Sequence, residues 1–245
     1  MLVATLPGGA FLVNLSDGTA RELPDTTSAG AMCCAAAIST DGRVAAAARM
    51  APPEHKGIWV WDLESLEPRM LEESRGRWVF GLAFAPDGTL FSSDEGGLVS
   101  HWDLGDDNRT TLADTGQLTK IALSPSCRFL LVVGGGPDAE LRSTLHDLDA
   151  GTSRPFTSHG DRLSSAAFDP TSQWIVTGDR EGVVRVGPVT GETPHLLFGH
   201  GTAIGSLAVS PDGRWIASSE ANDSAVRLWP WPQGPPPPFQ PPPPL

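Results

Sequence analysis

"AFAPDGTLFSSD", residues 83–94, decides how this chain is read: a short apolar strand, a Pro-Asp-Gly turn and a second apolar strand. Four other stretches have the same form: "AISTDGRVAAAA" at 37–48, "ALSPSCRFLLVV" at 122–133, "AFDPTSQWIVTG" at 167–178 and "AVSPDGRWIASS" at 208–219. Their central turn residues, Asp41, Asp87, Ser126, Thr171 and Asp212, recur every 39 to 46 residues. A fixed period of this size marks a repeat architecture, and overlooking it would mislead every later assignment. Downstream of each pair comes a third strand: "GIWVWDLESL", "GLVSHWDLGD", "LRSTLHDLDA", "VVRVGPVTGE" and "AVRLWPWPQG". A fourth short segment follows most of them, such as "PRMLEE" and "RTTLAD". Four short strands per unit, separated by Gly, Pro, Asp and Ser turns, form the pattern of a β-propeller blade.

The two ends of the chain fit this frame incompletely. One period before Asp41 falls just ahead of Met1, so "LVATLP", "AFLVNL" and "TARELP" read as the second, third and outer strands of a blade without its inner strand. At the other end "GSLAVS", "WIASSE" and "AVRLWP" supply an inner, second and third strand, and the expected outer strand falls in "PPFQPPPPL". Proline lacks an amide donor and is tolerated only on sheet edges, so the tail reads as a degenerate outer strand or a polyproline segment. The expectation is an all-β propeller of four-stranded antiparallel blades, about five full units plus partial blades at the ends, with an incomplete or irregularly closed ring. The units run over 2–24 (partial), 31–73, 78–113, 118–157, 163–198 and 204–231, giving a propeller at 1–233 and a proline-rich tail at 234–245.

The third strands end on Trp61-Asp62, Trp102-Asp103 and His146-Asp147, with Gly187-Pro188 and Trp229-Pro230 at the eroded sites. In these pairs the chain resembles the WD-repeat family, over roughly residues 2–233. The resemblance implies a buried hydrogen-bond network in the last unit made by His200, Ser219, Asp223 and Trp229. It implies partial versions elsewhere: His159 and Thr177 with Glu181 and Gly187, and Ser92 and Trp102 with Gly96. It also implies the C-terminal part of a larger bacterial propeller, and a narrow top face, built by the outer-to-inner and second-to-third strand loops, that holds peptides or proteins.

Charge and chemistry exclude several classes. Seventeen Lys and Arg against 29 Asp and Glu give a net charge of −12, which is wrong for neutralising phosphates, so no nucleic acid is expected. Cys33, Cys34 and Cys127 have neither disulfide nor metal spacing and read as core thiols of a reducing compartment. "MLVATLPGGAFLV" has no basic residue before its apolar stretch and is broken by Pro7, Gly8 and Gly9, so it fails as an export signal. No run reaches the length of a membrane span. The six histidines are scattered, with no HExxH, GxSxG or phosphate loop, so no catalytic, metal or cofactor residue is nominated.

What remains is surface. Trp78 and Phe80, beside Arg77, begin an inner strand, and aromatic and Arg side chains dominate interface energetics. The long loop "RMAPPEHKG" adds Arg49, His55 and Lys56, and Arg162 flanks another inner strand. The expected function is a non-enzymatic, cytoplasmic protein-interaction scaffold with no cofactor. Its partner is a protein or peptide, of basic character given the acidic surface, and open sheet edges favour self-association. The rivals are a lactonase-like or quinoprotein-like propeller enzyme and a non-functional fragment of a larger protein.

Overall fold

A computed structural model of the protein describes residues 2–6, 9–14, 16–24, 32–51, 55–106, 108–134, 143–160, 162–221 and 226–234. Asp223 and most of the proline-rich tail lie outside these residues. The described chain forms 22 strands in six antiparallel sheets. The first sheet holds β1 (Leu2–Leu6), β2 (Gly9–Val13) and β3 (Ala20–Glu22). The second holds β4 (Met32–Ile38), β5 (Val44–Ala51), β6 (Gly57–Asp62) and β7 (Pro68–Met70). The third is β8 (Val79–Phe84), β9 (Leu90–Asp94), β10 (Leu98–Asp103) and β11 (Asn108–Asp114). The fourth is β12 (Thr119–Leu123), β13 (Phe129–Gly134), β14 (Thr144–Asp147) and β15 (Thr152–Pro155). The fifth is β16 (Leu163–Phe168), β17 (Trp174–Asp179), β18 (Val184–Pro188) and β19 (His195–Leu197). The sixth holds β20 (Ile204–Val209), β21 (Trp215–Glu220) and β22 (Val226–Pro230). Every sheet is a meander in chain order, so the expected all-β propeller is the observed one.

The turn between the first two strands of a unit explains why the period is so easily seen. Ser39 Oγ donates to the Asp41 carboxylate at 2.6 Å and accepts the Val44 amide at 2.9 Å. Ser210 and Asp212 repeat this in the last unit, at 2.5 Å for the side-chain pair and 2.9 Å to the Trp215 amide. In the fifth unit Asp169 Oδ1 takes both the Gln173 and Trp174 amides. The turn needs a left-handed residue, which Gly42, Gly88 and Gly213 supply without a Cβ clash, while Cys127 and Ser172 adopt it at φ 58° and 62°.

The core is a series of seams. Ala45, Ala47 and Trp61 of the second sheet pack with Ala10 and Leu23 of the first. Ala46, Ala48, Ile58 and Val60, on the other face, meet Val79, Phe84 and Leu90 of the third. Phe91 and Val99 meet Leu130 and Val132, Leu131 and Val133 meet Leu163 and Ile175, and Val176, Val184 and Val186 meet Ile204 and Ile216. Period-two alternation puts successive residues of one strand into two different seams. Each sheet is therefore apolar on both faces and buried only by its neighbours.

The inner strands follow one another around the axis, β4 beside β8, β8 beside β12, β12 beside β16 and β16 beside β20. Among the described residues no strand of the first sheet is hydrogen-bonded to the sixth, so the ring is not closed by backbone pairing. The outward face of the sixth sheet carries Trp215, Val226 and Leu228, the last two 65% and 68% exposed.

Candidate functional site

The rim where the inner strands begin, here called the upper rim, is shaped by a recurring irregularity. The pairing of inner and second strands slips between Cys33 and Ala35, Val79 and Gly81, Leu163 and Ser165, and Ile204 and Ser206. Each slip is a β-bulge that re-aims one residue, namely Cys34, Phe80, Ser164 or Gly205. Two of these reach across to the next blade: Cys34 Sγ donates to Val79 O at 2.7 Å and Ser164 Oγ to Ile204 O at 2.7 Å. Burial, followed by the neighbouring Cys33, pushes the Cys34 thiol up to about 11, so it is a poor nucleophile at neutral pH.

The residues expected to form a binding edge divide into two groups. Trp78 is 39% exposed. The Lys56 ammonium lies over its ring, 4.4 Å from the centroid, and 3.8 Å from the Glu95 carboxylate. Glu95 in turn donates its backbone amide to Trp78 O at 2.8 Å. Trp78, Lys56 and Glu95 thus form one partly open cluster. Arg77 is bound to Asp94 at 2.6 Å, and Asp94 also accepts the amides of Gly96 and Leu98. Arg162 pairs with Glu181 at 3.1 Å, and both are exposed. Phe80 is half-buried.

Arg49 departs from the expectation. It is buried, 1% exposed, on the second strand, and its guanidinium lies 5.4 Å from the Trp59 ring centroid. It pairs with Gly57 on β6 and Cys33 on β4, so it belongs to the sheet and not to the loop that follows. His55 is half-buried beside Trp59: its ring centroid is 5.8 Å from that of Trp59, and its carbonyl accepts Trp59 Nε1 at 2.9 Å.

In the last sheet Trp229 Nε1 donates to Ser218 Oγ at 2.8 Å, and His200 Nε2 lies 2.6 Å from the same hydroxyl. His200 Nδ1 meets the Glu220 carboxylate at 3.0 Å, and Glu220 also binds the Thr202 hydroxyl and the Gly201 amide. The hydroxyl of the network is therefore Ser218. Ser219, the expected member, sits one residue on and on the opposite face, paired with Val226. Elsewhere Trp102 Nε1 donates to Ser92 at 2.8 Å, and His159 Nδ1 lies 2.9 Å from Thr177. A Cβ on Gly187 would come within 2.5 Å of His159 Nε2, so the imidazole fills the space beside this missing side chain.

Two side chains were not singled out from the sequence, Lys120 and Arg180. They line a cavity of about 300 Å³ on the same rim, between the fourth, fifth and sixth sheets. Among the described residues no three His, Cys, Asp or Glu side chains are grouped to hold a metal ion. Among the described residues no helix is long and apolar enough to cross a membrane.

The family described as WD domain, G-beta repeat, matches residues 69–103, 152–186 and 191–230. The β-propeller carries WD40 repeats. No curated protein matches its sequence. Each matched WD40 stretch begins on the outer strand of one blade and continues through the first three strands of the next: β7 then β8 to β10, β15 then β16 to β18, and β19 then β20 to β22. The sequence repeat is thus offset from the blade, and each WD40 repeat covalently joins two neighbouring sheets.

Proposed function

We propose that this WD40 propeller is a non-catalytic platform whose upper rim receives a protein or peptide. The observation that carries the reading is the Trp78, Lys56 and Glu95 cluster. A large aromatic side chain stays partly open at the rim while a cation and a carboxylate fix its position, which is the arrangement of an interface anchor. The net charge of −12 draws a partner with basic flanks over a long range and raises its rate of encounter. Affinity capture from cell extract with wild type, Trp78→Ala and Arg214→Ala, the last altering an exposed turn at the opposite end, tests this. A partner lost only with Trp78→Ala supports the site. A partner retained by Trp78→Ala removes it. Metal analysis and an absorption spectrum of the purified protein address the rival enzyme reading, because a bound metal or chromophore would favour it.

We also infer that the open face of the sixth sheet joins a second copy of the chain. Val226, Leu228 and Ala217 occupy the positions that Val184, Val186 and Val176 hold in the fifth sheet, where the sixth sheet covers them completely. The covering chemistry is therefore a blade face. The first sheet presents one through Phe11 and Val13, on the side of β2 opposite Ala10 and Leu12, which pack against the second sheet.

A further inference from the structure

Lys120 marks where the fourth blade departs from the others. Its inner strand β12 pairs with β13 in unbroken register, with no bulge between Thr119 and Leu123. In place of the small or re-aimed residues of the other blades, it presents a lysine. The side chain crosses in front of the fifth blade, and Nζ donates to Gly205 O of the sixth at 3.1 Å. The surrounding cavity of about 300 Å³ is walled by Leu118, Leu163, Ala203, Ile204 and Ala221, with Arg180 at its edge.

An ammonium has three protons to donate, and a neutral carbonyl takes one here. The group is half-buried against apolar walls, and that burial lowers its pKa. Among the described residues no carboxylate pairs with this cation, which is unusual in a chain with 29 acidic residues. On the same rim Lys56, Arg77 and Arg162 each have an acidic partner.

We propose that this cavity is a subsite for a carboxylate on a short aliphatic arm, supplied by a glutamate or aspartate of an extended peptide, with Lys120 as its ion-pair partner. The assignment rests on the upper rim being the docking face and names one feature of what docks there. The volume admits one side chain and no folded element. The apolar walls lower the local dielectric around the pair, which strengthens it, and the arm packs on Leu118 and Ala203. The overall negative charge repels runs of acidic residues. The subsite therefore selects a single carboxylate within a neutral or basic stretch.

Lys56 and Lys120 are the only lysines in the chain, so protein labelled with lysine carrying carbon-13 at Cε gives one NMR resonance for each, assigned with Lys56→Arg. The probes are the N-acetylated, C-amidated tripeptides Ala-Glu-Ala, Ala-Gln-Ala and Ala-Lys-Ala, together with free glutarate. The Ala-Glu-Ala peptide should move the Lys120 resonance saturably, at about 1–10 mM as befits a single contact, and raise its titration midpoint. Lys56 should stay still, and the Gln and Lys peptides should do nothing. Lys120→Met should weaken peptide-observed saturation transfer at least about tenfold, while Lys120→Arg keeps it. Thermal melting identifies whichever variant is folded, and the wild-type titration stands without either. Glutarate binding as tightly as Ala-Glu-Ala would overturn the peptide as its source. No movement of Lys120 with any carboxylate overturns the subsite alone if Trp78-dependent capture persists, and loss of both overturns the rim reading itself.

Discussion

His159 shows how far the fold can move a single titratable group. It is fully buried, and burial first, then the charge of Arg185, takes its pKa from 6.5 to about 3. The unfolded chain takes up a proton on this residue below about 6.5, while the folded chain refuses it until about 3. Its contribution is therefore fully present above pH 6.5 and is lost as pH falls, by up to about 1.4 kcal/mol per unit. The carboxylates act lower. Glu220, held to about 2 by the Thr202 hydroxyl and then by His200, begins to weaken the fold only below its ordinary 4.5. Between pH 6.5 and 4.5 the acid sensitivity therefore belongs to the buried His159 first and then to the half-buried His146, whose pKa burial also lowers. Denaturant melts at pH 7 and pH 5 should show wild type losing stability and His159→Gln, less stable at both values, losing much less. Equal losses would remove His159 from this role. Position in the sequence identified His159 and Thr177 correctly but slipped by one in the last unit, from Ser218 to Ser219. Two adjacent serines look alike, and a shift of one residue reverses the face. Aligning "WIASSE" on "LFSSD", where Ser92 bonds Trp102, would have selected Ser218.

At the scale of the strand, the inner and second positions were legible because each turn carries its own hydrogen-bonding residues, and those fix the register locally. What lies between blades was not. The absence of a bulge in β12, where Lys120 reaches past the fifth blade, depends on how Thr119 pairs with Gly134, and nothing in "LTKIAL" announces it. Arg49 was misplaced for a related reason. A charged residue before a loop looks like part of the loop, yet β5 continues to Ala51 and carries Arg49 into the sheet. Glycines at the seams were equally silent. Gly178 on β17 has ordinary extended backbone, but a Cβ there would lie 2.5 Å from both Cβ and Cγ2 of Ile204 in the next blade. These target atoms sit close to a backbone and cannot swing away, so the sheets would have to part. Gly178→Ala should cost about 1–3 kcal/mol by overpacking, measured by chemical denaturation. A substitution at Gly201, where a Cβ meets nothing, serves as the control. A cost below about 0.5 kcal/mol at Gly178, within the range of ordinary surface changes, would mean that the fifth and sixth blades are not packed this tightly.

For the molecule as a whole, stability is shared out along five seams, so a sheet with one covered face is only half stabilised. The interior sheets have both faces covered. The sixth has Ile216 and Trp229 turned toward the fifth, and Trp215, Val226 and Leu228 turned outward. Apolar surface at a sheet face is favourable to remove from water, by about 25 cal/mol for each Å² buried, and the geometry that buries it already exists in this chain between the fifth and sixth sheets. Association through this face is heterologous, since the covering face is that of the first sheet and not its own twin. Sedimentation velocity over a range of concentrations should therefore show wild type shifting to larger species as concentration rises. Leu228→Asp places a charge at the centre of the covered area and should return the protein to monomer with little change in melting temperature. Phe198→Asp alters an equally exposed apolar side chain at the end of β19, outside this face, and should leave association intact. A wild type that stays monomeric throughout would mean that the first and sixth sheets satisfy each other within one chain. If both variants dissociate equally, general surface hydrophobicity is responsible and not the blade face.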